Sequence, residues 1–114
     1  MALILYCTSE IINKIKKTRN SNSTKGDFGK ILIIGGSQDY VGAPELSANA
    51  ALSILRIGSD WVTVAAPSKV AWAINCLSPN IITKKIDCTH FDESHCSQIL
   101  DFSNRFDTLL IGPG

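Results

Sequence analysis

This 114-residue chain is short of charge: 18% of its residues are Asp, Glu, Lys or Arg, and eleven basic against ten acidic side chains leave a net charge of +1. So weak a field is not that of a dedicated binder of nucleic acid or of acidic membranes. No apolar run approaches the ~20 residues that a membrane span requires. The opening Ala2-Leu3-Ile4-Leu5-Tyr6-Cys7 is short and has no basic lead-in, so it is not expected to be a secretory signal. The four cysteines, at 7, 76, 88 and 96, form no Cys-x-x-Cys pair and are too sparse for a disulfide-stapled scaffold. They are expected to be reduced thiols, and the protein cytoplasmic. Two nucleotide motifs are also missing. There is no Gly-x-Gly-x-x-Gly, and no glycine loop ends in Lys-Ser or Lys-Thr as a P-loop does.

What is present suits one packed domain: hydrophobic residues make up 45%, with eight glycines and four prolines. Cys88, His90, His95 and Cys96 are close in sequence and carry zinc-ligand chemistry. Their spacing fits none of the usual two-plus-two patterns, so an ordinary loop and helix start is expected there, with no metal.

Six basic residues fall in the first thirty positions: Lys14, Lys16, Lys17, Arg19, Lys25 and Lys30. With Ile11, Ile12 and Ile15 at helical spacing and Thr8 or Ser9 as cap, they predict a short amphipathic helix with a solvated basic face. A polar linker, Asn20 to Thr24, follows, so the chain divides into 1–24 and 25–114. From there strands and helices alternate. Lys30–Ile34 is an apolar run without polar alternation, as a strand covered on both faces requires. Similar runs span Trp61 to Ala65, Ile81 to Ile86 and Thr108 to Ile111. Between them lie helical patterns: Pro44 to Ile57, stopped by Gly58; Lys69 to Leu77, capped by Ser68; and Ser94 to Phe102, with Cys96, Ile99, Leu100 and Ser103 on one stripe. This order predicts an α/β fold, a mostly parallel sheet with helices on both faces. The Pro44 helix is apolar twice over, with Leu46, Ala50, Ile54 and Ile57 on one stripe and Ala48, Ala51, Leu52 and Leu55 on another. A second layer or a partner subunit is expected to cover it.

In such a sheet, ligands bind beyond the carboxyl ends of the strands. Two glycine clusters fall there. Gly35-Gly36-Ser37-Gln38-Asp39-Tyr40-Val41-Gly42-Ala43-Pro44 joins the first strand to its helix, and Gly112-Pro113-Gly114 follows the last strand. Glycine lets a ligand approach the main chain, the helix start offers free N–H groups to an anion, and Ser37 and Tyr40 add hydroxyls. The first cluster is longer than a turn needs, and its backbone amides are expected to cradle a phosphorylated ligand. Asp39 is expected to be a turn residue, and neither His90 nor His95 is placed as a general base. A buried parallel strand at the very end of the sequence predicts that this is part of a larger domain.

These stretches resemble the amino-terminal half of the NAD(P)H-hydrate dehydratases, of the ribokinase-like superfamily. The likeness runs through Lys25-Gly26-Asp27-Phe28-Gly29-Lys30, Gly35-Gly36-Ser37 and Tyr40-Val41-Gly42-Ala43-Pro44. It continues through Val62-Thr63-Val64-Ala65-Ala66-Pro67, Leu77-Ser78-Pro79-Asn80 and Asp107 to Gly114, and the ordered set is specific. Thr24 stands where the family often has histidine, and Ser59-Asp60-Trp61 replaces Ala-Asp-Leu or Ala-Gly-Leu. The resemblance implies a carbon–oxygen lyase that phosphorylates the hydroxyl of hydrated NADH or NADPH with ADP or ATP and Mg2+, then eliminates phosphate. It implies substrate contacts at Gly42, Ala43 and Gly112 to Gly114. The expected substrate-binding set is therefore Gly35, Gly36, Ser37, Tyr40, Gly42, Ala43, Pro44, Gly112 and Gly114. The family's Gly-x-Gly-Asp phosphate loop and catalytic aspartate are absent, so catalytic residues are expected downstream of Gly114 and the chain alone should be inactive. A homo-oligomer without nucleic-acid or membrane partners is expected. Alternatives are a hydroxymethylpyrimidine or thiazole kinase of the same superfamily, or a non-catalytic flavodoxin-like binding module.

Overall fold

A computed structural model describes residues 8–15 and 18–114, apart from the side chains of Ile15 and Ile57. The opening apolar stretch with Cys7, and Lys16 and Lys17 of the basic face, lie outside the described residues. Thr8 caps the first helix, α1 (Ser9–Ile15), accepting from the Ile11 N–H at 3.4 Å. The α/β unit then runs β1 (Lys30–Ile34), α2 (Gly42–Ile57), β2 (Trp61–Pro67), α3 (Ser68–Leu77), β3 (Ile82–Ile86), α4 (Cys96–Ser103) and β4 (Thr108–Ile111). A 3₁₀ turn, Glu93–His95, leads into α4. No described helix is long and apolar enough to cross a membrane.

The four strands form one all-parallel sheet in the order β3-β2-β1-β4. That is the 3-2-1-4 order of a doubly wound sheet, and it excludes the flavodoxin-like alternative, whose β1 lies between β2 and β3. Alternate residues of the apolar strands feed two cores. Ile33, Val62, Val64 and Ala66 pack against Ala48 and Ala51 of α2 and Val70, Ala71 and Ile74 of α3. Leu32, Ile34 and Ala65 point the other way, against Phe91, Ile99, Phe102 and Phe106. Helices thus cover both faces, and the crossover to β4 changes face between β3 and β4.

Several boundaries moved for physical reasons. β2 continues through Ala66 and Pro67 because both are buried beside β3. α2 begins at Gly42, two residues before the proline. Ser68 is the first residue of α3, not its cap: Pro67 holds the cap position and supplies no side-chain hydrogen bond. On α4 the inward stripe is Ile99 and Phe102, while Leu100 is exposed, because the two phenylalanines at 102 and 106 pair across the helix end at 5.2 Å. The Leu46, Ala50 and Ile54 stripe of α2 stays open, with Leu46 at 69% and Ile54 at 41% exposure, while Ala48, Ala51, Leu52 and Leu55 pack inward. β4 is an edge strand, exposed along all four residues. Leu110 is level with Ile33 on the α2 side, and Leu109 and Ile111 are level with Leu32 and Ile34 on the α4 side.

Carboxylates pin the amino ends of the strands. Asp60 accepts from the N–H groups of Gly26 and Phe28 at 2.6 and 2.8 Å, closing the Lys25–Lys30 loop over β2. Asp107 accepts from the Lys30 N–H at 2.8 Å and returns its own N–H to the Lys30 carbonyl at 2.9 Å, setting the register of β4 on β1. Donation from the Phe28 N–H, then from Gly26, with Arg19 nearby, holds Asp60 below the usual carboxylate pKa. A carboxylate lowered in the folded state stabilises above its unfolded pKa of about 3.9, and that contribution disappears as pH falls through the folded value. Asp60→Asn should therefore unfold at lower urea than the wild type at pH 7. The gap should close as pH falls through the lowered folded-state pKa of Asp60; equal midpoints at pH 7 would remove Asp60 from the clasp.

Candidate functional site at the carboxyl edge of the sheet

The β1–α2 loop and the residues after β4 meet at the carboxyl ends of β1 and β4. The Gly112 N–H donates to the Ile34 carbonyl at 3.0 Å, and the Gly36 N–H donates to the Pro113 carbonyl at 2.8 Å. Only glycines permit this lacing. A Cβ on Gly35 would lie 2.3 Å from the Pro113 carbonyl oxygen. One on Gly36, whose φ is +87°, would lie 2.9 Å from Val70 Cγ1 and 3.1 Å from Pro44. Gly114 in turn rests on Gly36 and the Tyr40 carbonyl; a Cβ there would stand 3.1 Å from each.

The expected cradle at Gly35 and Gly36 therefore takes a different form. Both residues are buried, and their amides already have acceptors in Ala65 and Pro113. The Ser37 and Tyr40 N–H groups bond each other's carbonyls, and Gln38 donates to Thr89 at 3.2 Å. These amides shape the site from below. Pro44 is likewise buried. The open rim consists of Gly42 and Gly112, where a Cβ would meet nothing within 4 Å, with the half-buried Ser37 and Ala43 and the exposed Tyr40 and Gly114. As first-turn residues of α2, Gly42 and Ala43 have no intrahelical acceptor for their N–H groups, and Val41 gives the helix no side-chain cap. Small residues and unclaimed amides thus coincide at Gly42 and Ala43, one turn beyond the Gly-Gly pair.

Beside this rim a cavity of about 340 Å³ opens at the ends of β2 and β3, lined by Gln38, Ser68, Lys69, Asp87, Cys88 and Thr89 among others. Sequence reading passed over Ser68, Lys69 and Thr89. The signal was available, because these residues also follow strands at their carboxyl ends. Burial, with the carboxylates of Asp92 and Asp87 nearby, pushes the Cys88 thiol up, so it is a poor nucleophile. His95 stands 2.8 Å from Asp92 and, with it, closes a capping box at the 3₁₀ turn. The Ser94 hydroxyl and N–H hold Asp92 below its usual pKa. Among the described residues no three His, Cys, Asp or Glu side chains converge on a metal position. Asp39 is exposed in the turn between Ser37 and Tyr40.

A sheet in 3-2-1-4 order with glycine-lined exits at β1 and β4 is that of the doubly wound proteins, which take ligands at this switch point. A ribokinase-like superfamily protein of Enterococcus faecalis shares the fold, with a TM-score of 0.69 and 24% identity over 99% of this chain and 38% of its own. A Streptococcus mutans protein of known crystal structure, SMU.573, superposes with a TM-score of 0.68 at 30% identity, over 96% of this chain and 36% of its own. The family model for NAD(P)H-hydrate dehydratase matches residues 31–114, and the chain belongs to that family. It is 41% identical over 97 residues to the bifunctional NAD(P)H-hydrate repair enzyme Nnr of Methanothermobacter thermautotrophicus, covering 85% of this chain and 18% of that one. To the ATP-dependent (S)-NAD(P)H-hydrate dehydratase of Vitis vinifera it is 32% identical, covering 91% of this chain and 31% of that one. The chain thus spans between about a fifth and a third of the length of these relatives.

Gly35→Ala should cost about 2–3 kcal/mol by overpacking against Pro113. Gly42→Ala, at an open helical position, should leave stability unchanged or raise it by up to about 1 kcal/mol. Urea unfolding of both variants checks the pair, and equal midpoints would undo the distinction between covered and open glycines.

Proposed function

We propose that this chain supplies the nicotinamide-nucleotide side of an ATP-dependent NAD(P)H-hydrate dehydratase. The observation that carries this reading is the open rim at the switch point. There Gly42, Ala43 and Gly112 leave room for a flat ring against the backbone, and the first turn of α2 faces it with free N–H groups. Family membership supports it, as do the relatives' printed activities. The rim proposed to touch hydrated NADH or NADPH is Ser37, Tyr40, Gly42, Ala43, Gly112 and Gly114. Gly35, Gly36 and Pro44 hold that rim in place from beneath.

In the reaction of such an enzyme, the hydroxyl of the hydrate takes a phosphoryl group from ATP or ADP and phosphate then leaves, restoring the reduced ring. The part of these residues is to bind and orient the hydrate; positioning is the larger share of phosphoryl-transfer catalysis. Among the described residues no three His, Cys, Asp or Glu side chains converge, and no Gly-x-Gly-Asp occurs in the sequence. Turnover then depends on groups other than those of this rim, in keeping with the fraction of the relatives' length that the chain spans. The open stripe of α2, Leu46, Ala50 and Ile54, is the proposed contact with a second copy of the chain.

Two measurements test the reading. The 114-residue chain should show no ATP- or ADP-dependent conversion of hydrated NADH. Residues 31–114 grafted in place of the matching stretch of the Methanothermobacter enzyme should restore that conversion, and Gly42→Ala in the graft should raise KM for the hydrate roughly tenfold. Activity of the isolated chain, or a folded but inactive graft, overturns it.

A further inference from the structure

A second groove lies at the opposite end of the sheet, on the α4 face, far along the strands from the glycine rim. This shallow, open groove of about 380 Å³ lies between the amino end of β2, strand β3 and the exit of α4. Its walls carry three aromatic rings, Trp61, Phe102 and Phe106, all half-buried. On its floor is Thr63, the one buried polar side chain of the described core. Lys84 and Arg105 line it too, with Lys84 Nζ 5.5 Å and the Arg105 guanidinium carbon 5.8 Å from the centre of the Phe102 ring. At the other end, Lys30 and Lys25 approach the Trp61 ring at 5.8 and 6.0 Å.

Four cations over two of these rings, Trp61 and Phe102, need a reason in a chain whose net charge is +1. None of them pairs with a carboxylate within 4 Å among the described residues; the one such contact there is His95 with Asp92. Asp60 and Asp107, next in sequence to Trp61 and Phe106, are held by backbone N–H groups. A flat ring could stack on the face of Trp61 or Phe102, as bases stack on aromatic side chains without regard to sequence. An anionic group on that ring would lie within reach of Lys84 and the planar fork of Arg105. The volume is at the small end of the range for small-molecule sites, about 300–1,000 Å³. A base with its sugar and one phosphate is of the size for such a groove, whereas a nucleic-acid strand would need a longer basic track.

We infer that this groove is a binding site for a mononucleotide, separate from the rim at the carboxyl edge and independent of the function proposed for it. Trp72 lies elsewhere, on α3 beneath Lys85, so Trp72→Phe leaves Trp61 as the sole tryptophan reporter. Titrating this variant with AMP should quench Trp61 saturably in the micromolar to low-millimolar range, while adenosine and inorganic phosphate alone bind at least about tenfold more weakly. Lys84→Ala combined with Arg105→Ala should weaken AMP by roughly tenfold or more at unchanged circular dichroism, and Gly42→Ala should leave it alone. No saturable quenching, an unchanged affinity in the double variant, or a response to single-stranded oligonucleotide but not to AMP would each overturn the inference. Nicotinate serves as the carboxylate control: affinity equal to AMP would overturn the assignment to a phosphate.

Discussion

The Gly36 N–H reaching the Pro113 carbonyl, across a spot where Gly35 has no side chain, joins the exits of two strands that are more than seventy residues apart in sequence. Close approach at that point is what allows β1 and β4 to end together, and their shared edge is where the crossover changes face. Beyond the laced exits, the first turn of α2 presents N–H groups that, as at any helix start, have no intrahelical acceptor, and Val41 supplies no side-chain cap. Packed glycines below and open small residues above thus lie within one loop.

Much of this was legible in the amino-acid order. Apolar runs such as Lys30–Ile34 and Thr108–Ile111 have limits that agree with the strands, but of the two only β1 is buried on both faces as such a run implies; β4 is an exposed edge with the same apolar pattern. The doubled stripe of α2 was readable too, and the structure leaves one half of it, with Leu46 and Ile54, uncovered. On α4 the reading failed, since helical spacing alone ranked Leu100 with Ile99. What decides the face is where Phe102 and Phe106 find room beneath the sheet, a tertiary matter.

The glycine loop shows a different limit. Sequence revealed where small residues cluster, but not which of their N–H groups would already be taken by the protein's own carbonyls. Gly35 and Gly42 look alike on paper, yet one is pressed against Pro113 and the other faces open space. The basic-aromatic groove escaped notice because its members come from residues 25 to 106 and meet only through the strand register. Asp60 was similarly hidden: its value lies in two backbone amides about thirty residues earlier.

The pairing of Lys30 with Asp107 across 77 positions also bears on biosynthesis. A ribosome adding about 5–20 residues per second makes the middle strand several seconds before its last neighbour exists. Throughout that interval one flank of Lys30–Ile34 is bare, apolar and able to recruit the wrong partner. Nascent copies on one messenger are thus exposed to each other at their stickiest stretch, and chaperone supply during translation should govern yield more strongly than the stability of the finished molecule.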